Sequence, residues 1–542
     1  MIESSADFST EVLWIVVLGF IVSFFLAFGV GANDVANSFG TSVGAKVLTL
    51  RQACILATIC ETAGAILIGY KVSDTVRKGI FDVEMYADDS KNLMLGNLAA
   101  LFGSACWTIL ATSLSLPISG THSIVGAVVG FSLVAKGLNG INWSGLGKIV
   151  VSWFVSPLLS GVFSALIFYS IKELILNKRN LLDCGLRSLP AFYAFTVFIN
   201  VFSVLHDGPR VLHFHLIPLW AVCTLSVTTA VIVALCIWCF FVPYLRANIV
   251  SKIVSPVPGS DKNGSAVKES ICLEAVASLD HNQETITSIN SLQSTCSSTV
   301  NTPIKTYGSR PPLPFVTQVS LSPEGVDRQN MRRKRCHTGC DRCKRRSLAS
   351  LEVAILESKP RPGRPEEPLK PEEPPEAVEL FSFLQVLTAI FGSFAHGGND
   401  VSNAIGPLVA LFIIYNEGSV AQKAETPIWI LLYGGIGISI GLWVWGRKVI
   451  QTIGEDLTKV TPSNGFSIEI GAAFTVLLAS KIGIPISTTH CKVGSIVFVG
   501  WVKSASAVDW RLFRGIVAAW VFTLPIAGGL SAAIMALLMH VT

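Results

Sequence analysis

The sequence predicts an all-α polytopic membrane protein: two inverted repeats with broken or re-entrant helices and about 12 transmembrane segments. Three observations carry that prediction. Apolar runs long enough to cross a bilayer recur through both ends of the chain. Hydrophobic residues make up 51% of the 542 positions and charged ones only 14%, against about 25% charged in a soluble domain. Two polar phrases, each costly in lipid, occur twice at nearly the same separation. The apolar runs do not alternate in segments of about ten residues, as the strands of a membrane β-barrel would.

In chain order, spans are expected near 12–31, 53–70, 93–115, 120–136, 146–175, 189–206 and 215–245. Ahead of them Glu3, Asp7 and Glu11 are acidic, unlike the basic n-region of a secretory signal. Residues 248–378 then form a polar segment rich in Ser, Thr, Pro and charge, which cannot bury enough apolar surface to offset its ordering entropy. Its end, "KPRPGRPEEPLKPEEPPE" (359–376), favours extended polyproline conformations. Spans resume near 380–396, 403–415, 427–446, 466–483, 490–503 and 512–541, some short enough to be re-entrant. The expected organisation is thus a membrane half over 1–247, a largely disordered cytosolic loop over 248–378 and a second membrane half over 379–542.

The 13 cysteines are scattered, which argues against a secreted disulfide framework. Cys336, His337, Cys340 and Cys343 read either as a small zinc site or as reduced cytosolic thiols. The basic run beside them reads as a contact for anionic lipid or as mere solvation. Asn142 opens an "NWS" sequon too close to spans to be used. Arg246 and Lys252 at the seventh span end, with the acidic N-terminus, place the central loop in the cytosol and the N-terminus outside. The C-terminus is expected outside as well.

The repeated phrases hold the chemistry. "GANDVANSFG" (31–40) aligns with "GGNDVSNAIG" (397–406), and "PISGTHSIVG" (117–126) with "PISTTHCKVG" (485–494). Asp34 precedes His122 by 88 residues, and Asp400 precedes His490 by 90, so one unit has been duplicated. Seven spans separate equivalent points, an odd number, so the copies should be inverted, as in many secondary transporters. Gly and Asn permit a helix to break. The backbone groups so freed are tolerable in a membrane only where they line a polar cavity. Free N–H groups at a half-helix N-terminus favour an anion. Carboxylates and amide oxygens favour a hard cation such as Na⁺, which marks Asn33, Asp34, Asn37, Asn399, Asp400 and Asn403 as sodium ligands. Ser119, Thr121, Ser487, Thr488 and Thr489 follow a proline, where a new helix can start, and supply hydroxyl donors for an oxyanion. Simpler readings stand beside these. The asparagines could bond between helices, the hydroxyls could back-bond near proline, and His122 and His490 are as well suited to structure as to titration. Glu61 and Glu469 lie in apolar stretches, where an acidic residue is expensive and functional by default.

These motifs resemble the duplicated signature of the inorganic phosphate transporter family, over both membrane halves but not the central loop; the long loop resembles the animal-type, sodium-coupled members. The resemblance implies inverted repeats around a shared phosphate site and sodium-coupled phosphate symport by alternating access across the plasma membrane. It places phosphate and sodium residues at Asp34, Asn37, Ser119, Thr121, Asp400, Asn403, Ser487 and Thr488, with Glu61 and Glu469 as auxiliary acids. Two departures bear on ion stoichiometry rather than substrate class. Asn97 stands where many relatives carry glutamate, and Gly120 where many microbial members carry a hydroxyl. No catalytic residue, cofactor or nucleic-acid partner is expected; the lipid bilayer is, and a homo-oligomer is left open. No GxxxxGK[ST] phrase supports ATP-driven transport. The alternatives are a proton-coupled phosphate or sulfate permease, a phosphate-binding receptor and an anion channel.

Overall fold

The computed structural model describes residues 2–206, 208, 213–254, 373–451, 457–504 and 507–542. The chain divides into two units, Met1–Ser255 with Pro371–Thr542 and the intervening Pro256–Lys370. The second unit lies outside the described residues, and with it the Cys336–Cys343 cluster, the basic run and most of the proline-rich stretch.

Apart from one isolated bridge between Phe81 and Ile141, the regular structure of the described membrane residues is helical. Its first half runs α1 (Ile2–Asn33), α2 (Ala36–Gly44), α3 (Leu50–Ile68), α4 (Tyr70–Lys78), α5 (Ser90–Ser113), α6 (Gly120–Lys136), α7 (Trp143–Ile171), α8 (Leu181–Leu205), α9 (Leu219–Cys236) and α10 (Val242–Val254). Its second half runs α11 (Pro375–Glu417), α12 (Ile428–Trp445), α13 (Arg447–Gln451), α14 (Pro462–Ile482), α15 (Thr488–Lys503) and α16 (Trp510–Val541). Polar residues between the apolar runs fix the helix starts. Thr49 and Gln52 form a capping box on α3, and Asp89, Asn142 and Asp509 accept first-turn N–H groups of α5, α7 and α16. The Asn142 carboxamide is therefore used as a helix cap. Among the described residues, 11 helical segments are long and apolar enough to cross a membrane.

Helix packing exchanges partners between the halves. α1 packs on α12 while α3 packs on α11; α16 packs on α5 and α6 while α7 packs on α14 and α15. Each half thus supplies the helix that closes the other, as two equivalent units related by an approximate two-fold would. The approach is closest where glycine faces backbone. A Cβ on Gly31 would fall 1.9 Å from the Ile438 carbonyl oxygen, and one on Gly397 would fall 2.1 Å from that of Glu61.

Two expectations need revision. The spans expected at 380–396 and 403–415 are one helix, α11, which runs through "GGNDVSNAIG" without a break. In the first half, Asp34 and Val35 do interrupt the helix. The interruption is shallow: Asn37 N–H bonds to Asp34 O at 2.9 Å and Ser38 N–H to Val35 O at 3.0 Å, a tightening to i→i−3 bonds rather than an unwinding. The non-helical backbone lies instead at 116–119 and 484–487. There α5 and α14 end, and α6 and α15 start afresh, as the prolines there suggest. α15 is shorter than a full span, consistent with a re-entrant hairpin.

Candidate functional site

The duplicated phrases meet in the interior. Asn33, Asp34, Asn37, Thr121, Asn399, Asp400, Asn403, Thr488 and Thr489 are all buried. Their first task is to satisfy the extended segments. Asn33 donates to Leu116 O at 2.9 Å and to Thr112 Oγ1 at 3.1 Å, and its Oδ1 accepts Ile118 N–H at 3.1 Å. Asn399 donates to Ile486 O at 2.8 Å. In lipid these backbone groups have no water to turn to, so the first asparagine of each phrase stitches the hairpin of its own half.

The next pair crosses between halves. Asn37 donates to Thr489 Oγ1 at 2.9 Å, and Thr489 donates to Ile118 O at 3.1 Å. Reciprocally, Asn403 donates to Thr121 Oγ1 at 2.9 Å, and Thr121 donates to Ile486 O at 2.8 Å. The same asparagine–threonine–carbonyl relay is therefore built twice with the halves exchanged.

The carboxylates sit against the new helix starts. Asp34 Oδ2 accepts Gly120 N–H at 3.0 Å, and its Oδ1 lies 3.3 Å from Thr489 Oγ1. Asp400 Oδ2 accepts the Thr488 hydroxyl at 2.6 Å and its Oδ1 accepts Asn399 Nδ2 at 2.8 Å. Gly120 and Thr488 are equivalent positions. A Cβ on Gly120 would fall 2.5 Å from Asp34 Oδ2, so this glycine lets the carboxylate reach backbone where its counterpart offers a hydroxyl. Ser119 and Ser487 cap α6 and α15, accepting His122 N–H and His490 N–H at 3.2 and 3.1 Å. The N–H groups of Thr121, Thr488 and Thr489 carry no hydrogen bond among the described residues. Three buried amide oxygens, Oδ1 of Asn37, Asn399 and Asn403, also lack a partner. Asn33 has no such spare oxygen.

Glu61 and Glu469 are drawn in by residues that carry no obvious sequence signal. Glu61 accepts Ser393 at 2.9 Å and Ser38 at 3.3 Å, and lies 2.6 Å from His396 Nδ1. The other nitrogen, His396 Nε2, lies 2.7 Å from Asp400 Oδ2. Only the Nδ1 contact to Glu61 has hydrogen-bond geometry; Nε2 is close to Asp400 but not aligned with it. Glu469 accepts Thr41, Ser42, Thr388 and Gln385 at 2.6, 2.7, 2.7 and 3.4 Å. Asn97 is buried but turns back on its own helix, donating to Leu93 O at 2.9 Å.

His122 and His490 meet edge to face, ring centres 4.5 Å apart. His122 lies over Trp153 with Nδ1 3.3 Å from Trp520 O, and His490 lies over Trp520 with Nδ1 3.0 Å from Trp153 O. They lock α6 and α15 to α7 and α16. A cavity of about 20 Å³ opens among Asn37, Ser38, His396, Glu469, Thr488 and Lys492, walled by Gly392, Ala472, Ala473 and Val476. By volume it holds about one water.

Comparison with known proteins follows the same outline. The model of the phosphate transporter family matches residues 30–531. Sodium-dependent phosphate transporter 1-A of Danio rerio is 44% identical, over 98% of this chain and 96% of its own. Sodium-dependent phosphate transporter 2 of Homo sapiens is 43% identical over 98% of each. A solved structure described as the sodium-dependent phosphate transporter matches with a TM-score of 0.69 and 29% identity, covering 97% of this chain and 100% of that one.

Proposed function

The chain belongs to the phosphate transporter family, and on that premise we propose that its interior site couples Na⁺ to the movement of inorganic phosphate. The observation that carries the reading is one juxtaposition. Asn37, Asn399 and Asn403, each with a spare oxygen, belong to the same two phrases as Asp34 and Asp400, and those carboxylates are bonded to the first residues of α6 and α15, whose Thr121, Thr488 and Thr489 N–H groups are free among the described residues. Oxygens of that kind suit a hard cation; unpaired N–H groups at helix starts suit an oxyanion.

The division of labour differs somewhat from the sequence expectation. Asp34, Asp400, Asn37, Asn399 and Asn403 serve sodium, whereas Asn33, fully bonded to the hairpin backbone, serves structure. Thr121, Thr488 and Thr489, with their N–H groups, serve phosphate. Ser119 and Ser487 act through the caps that fix the two helix starts. Glu61 and Glu469 balance charge from the flanking helices.

The two halves work as inverted repeats in alternating access. A cavity that holds about one water must widen to admit a tetrahedral anion, so opening to either side is part of the cycle. The site faces the plasma membrane's two aqueous sides in turn, with the loop over 248–378 cytosolic and both termini outside.

The test is labelled phosphate uptake by the purified full chain in vesicles. An inward Na⁺ gradient should concentrate phosphate above the external level, and Li⁺ or a proton gradient alone should not. Uptake driven by protons without Na⁺ would overturn the coupling, and uptake that never exceeds equilibrium would indicate a channel.

A further inference from the structure

Lys492 is the one cavity-lining residue with a positive charge that is not shared with a partner. It lies in α15, one helical turn beyond Thr488, and is only 3% exposed. Among the described residues it makes no hydrogen bond and no direct ion pair; it feels the Glu469 carboxylate only through space. Glu469 is otherwise engaged: Oε1 takes the donors of Thr41, Ser42 and Gln385, and Oε2 that of Thr388. A buried ammonium without a close counter-charge is expensive. Lysines with only a structural role in a membrane protein reach for the interface or pair with an acid. This one does neither.

The repeat sharpens the point. Lys492 follows His490 by two residues, and the residue two after His122 is Ile124. The charge therefore breaks the approximate two-fold that organises the crossed asparagine–threonine relays at the centre. We propose that Lys492 is the fixed cation of the anion subsite, contacting a phosphate oxygen beside Thr488 and drawing the substrate off the two-fold toward α15. Sodium neutralises the carboxylates, which otherwise outnumber cations in the site. Lys492 neutralises phosphate without itself being transported. Glu469 from α14 and His396 from α11 line the same cavity, and behind His396 lie Glu61 from α3 and Asp400 from α11. With the ammonium gone, these leave the subsite anionic, and the doubly charged form of phosphate loses more than the singly charged one.

This inference rests on the cavity being the phosphate site, and the experiment separates the two. Wild type, Lys492→Arg and Lys492→Gln are compared in vesicles for the phosphate KM at saturating Na⁺, on the acid and alkaline sides of the phosphate ionisation, and for half-saturating Na⁺. Lys492→Gln should raise the phosphate KM by about tenfold or more, the loss growing toward alkaline pH, while half-saturating Na⁺ moves by less than about twofold. Lys492→Arg should stay within about threefold of wild type and keep its pH trend. A wild-type KM in Lys492→Gln, or an increase of equal size at both pH values, would overturn the assignment. Wild type that takes up no phosphate with Na⁺ would instead sink the functional reading. If Lys492→Gln does not accumulate, Lys492→Met keeps the aliphatic stem, and thermal stabilisation of the detergent-solubilised protein by inorganic phosphate in Na⁺ replaces uptake. Stabilisation equal to wild type at both pH values overturns the proposal; stabilisation that fades toward alkaline pH supports it.

Discussion

Replacing Thr489 with valine tests the crossed relay most directly. Valine keeps the shape and removes the hydroxyl. That hydroxyl receives the Asn37 amide at 2.9 Å, donates to Ile118 O at 3.1 Å and lies 3.3 Å from Asp34 Oδ1. Asp34 keeps its bond to Gly120 N–H, so two buried groups, the Asn37 amide and the Ile118 carbonyl, are left unpaired. At about 1–3 kcal/mol each the total is about 2 kcal/mol at the least. Asn37 then loses the contact that aims its Oδ1 at the site. If most of this falls on the sodium site, half-saturating Na⁺ rises about tenfold or more. Thr121→Val removes the equivalent hydroxyl between Asn403 and Ile486 O, and should shift the Na⁺ titration by an amount within about threefold of Thr489→Val. Thr489→Ser keeps the hydroxyl and should stay close to wild type. The assay is phosphate uptake against Na⁺ at fixed phosphate, normalised to folded protein. A wild-type titration in either valine variant, or a large effect in one half with none in the other, would refute the reasoning that the halves share one site through exchanged relays.

Asp34→Asn and Asp400→Asn should each abolish Na⁺-driven uptake while the protein still reaches the membrane, as surface labelling would report; wild-type sodium dependence in either would make the duplicated carboxylates structural. Removing residues 260–370 with a flexible linker in their place should preserve uptake, because both pairs of repeated phrases lie in the membrane unit; a membrane-inserted deletion with no uptake contradicts this. Arsenate should compete with phosphate and sulfate should not. Phosphate and arsenate keep a hydroxyl for an acceptor-only carboxylate, whereas sulfate leaves it facing a bare oxygen at about 1–3 kcal/mol or more. Equal inhibition by both anions would reopen the sulfate alternative.

Much of this site was legible because duplication repeats its chemistry. Asp34 with Asp400, Asn37 with Asn403 and Thr121 with Thr489 stand out as matched polar residues in apolar surroundings, and each lies at the centre. The misreading of the helix breaks has a local cause. Gly and Asn permit a break but do not require one, and in α11 the glycines serve instead for close approach to α3. His396 was missed because it belongs to no repeated phrase. It stands four residues before Asp400, one helical turn, and that spacing is the signal that could have found it. Lys492 stands four residues after Thr488 by the same rule. Thr41, Ser42, Gln385 and Thr388 converge on Glu469 from two helices in different halves. No single-chain pattern announces a contact of that kind; only the packing assembles it.

The departures from symmetry say more about function than the symmetry does. An exact two-fold would offer two equivalent carboxylates, two relays and two helix starts, and nothing would decide where a single tetrahedral anion sits. This chain resolves the choice at two positions. Gly120 gives Asp34 a backbone N–H, so a carboxylate occupies one first-turn donor of α6 and leaves that of Thr121, whereas Thr488 holds Asp400 by a hydroxyl and leaves both its own N–H and that of Thr489 open at α15. Lys492 then adds positive charge on the α15 side alone, opposite the apolar Ile124. A carboxylate lodged on a helix N-terminus competes with an anion for the same donors. On the proposed assignment both changes act in one direction, favouring a cation on the α6 side and an anion on the α15 side. With sites so assigned, sodium at Asp34 and Asp400 would lower the repulsion an incoming phosphate meets, and phosphate held at α15 would in turn stabilise that sodium.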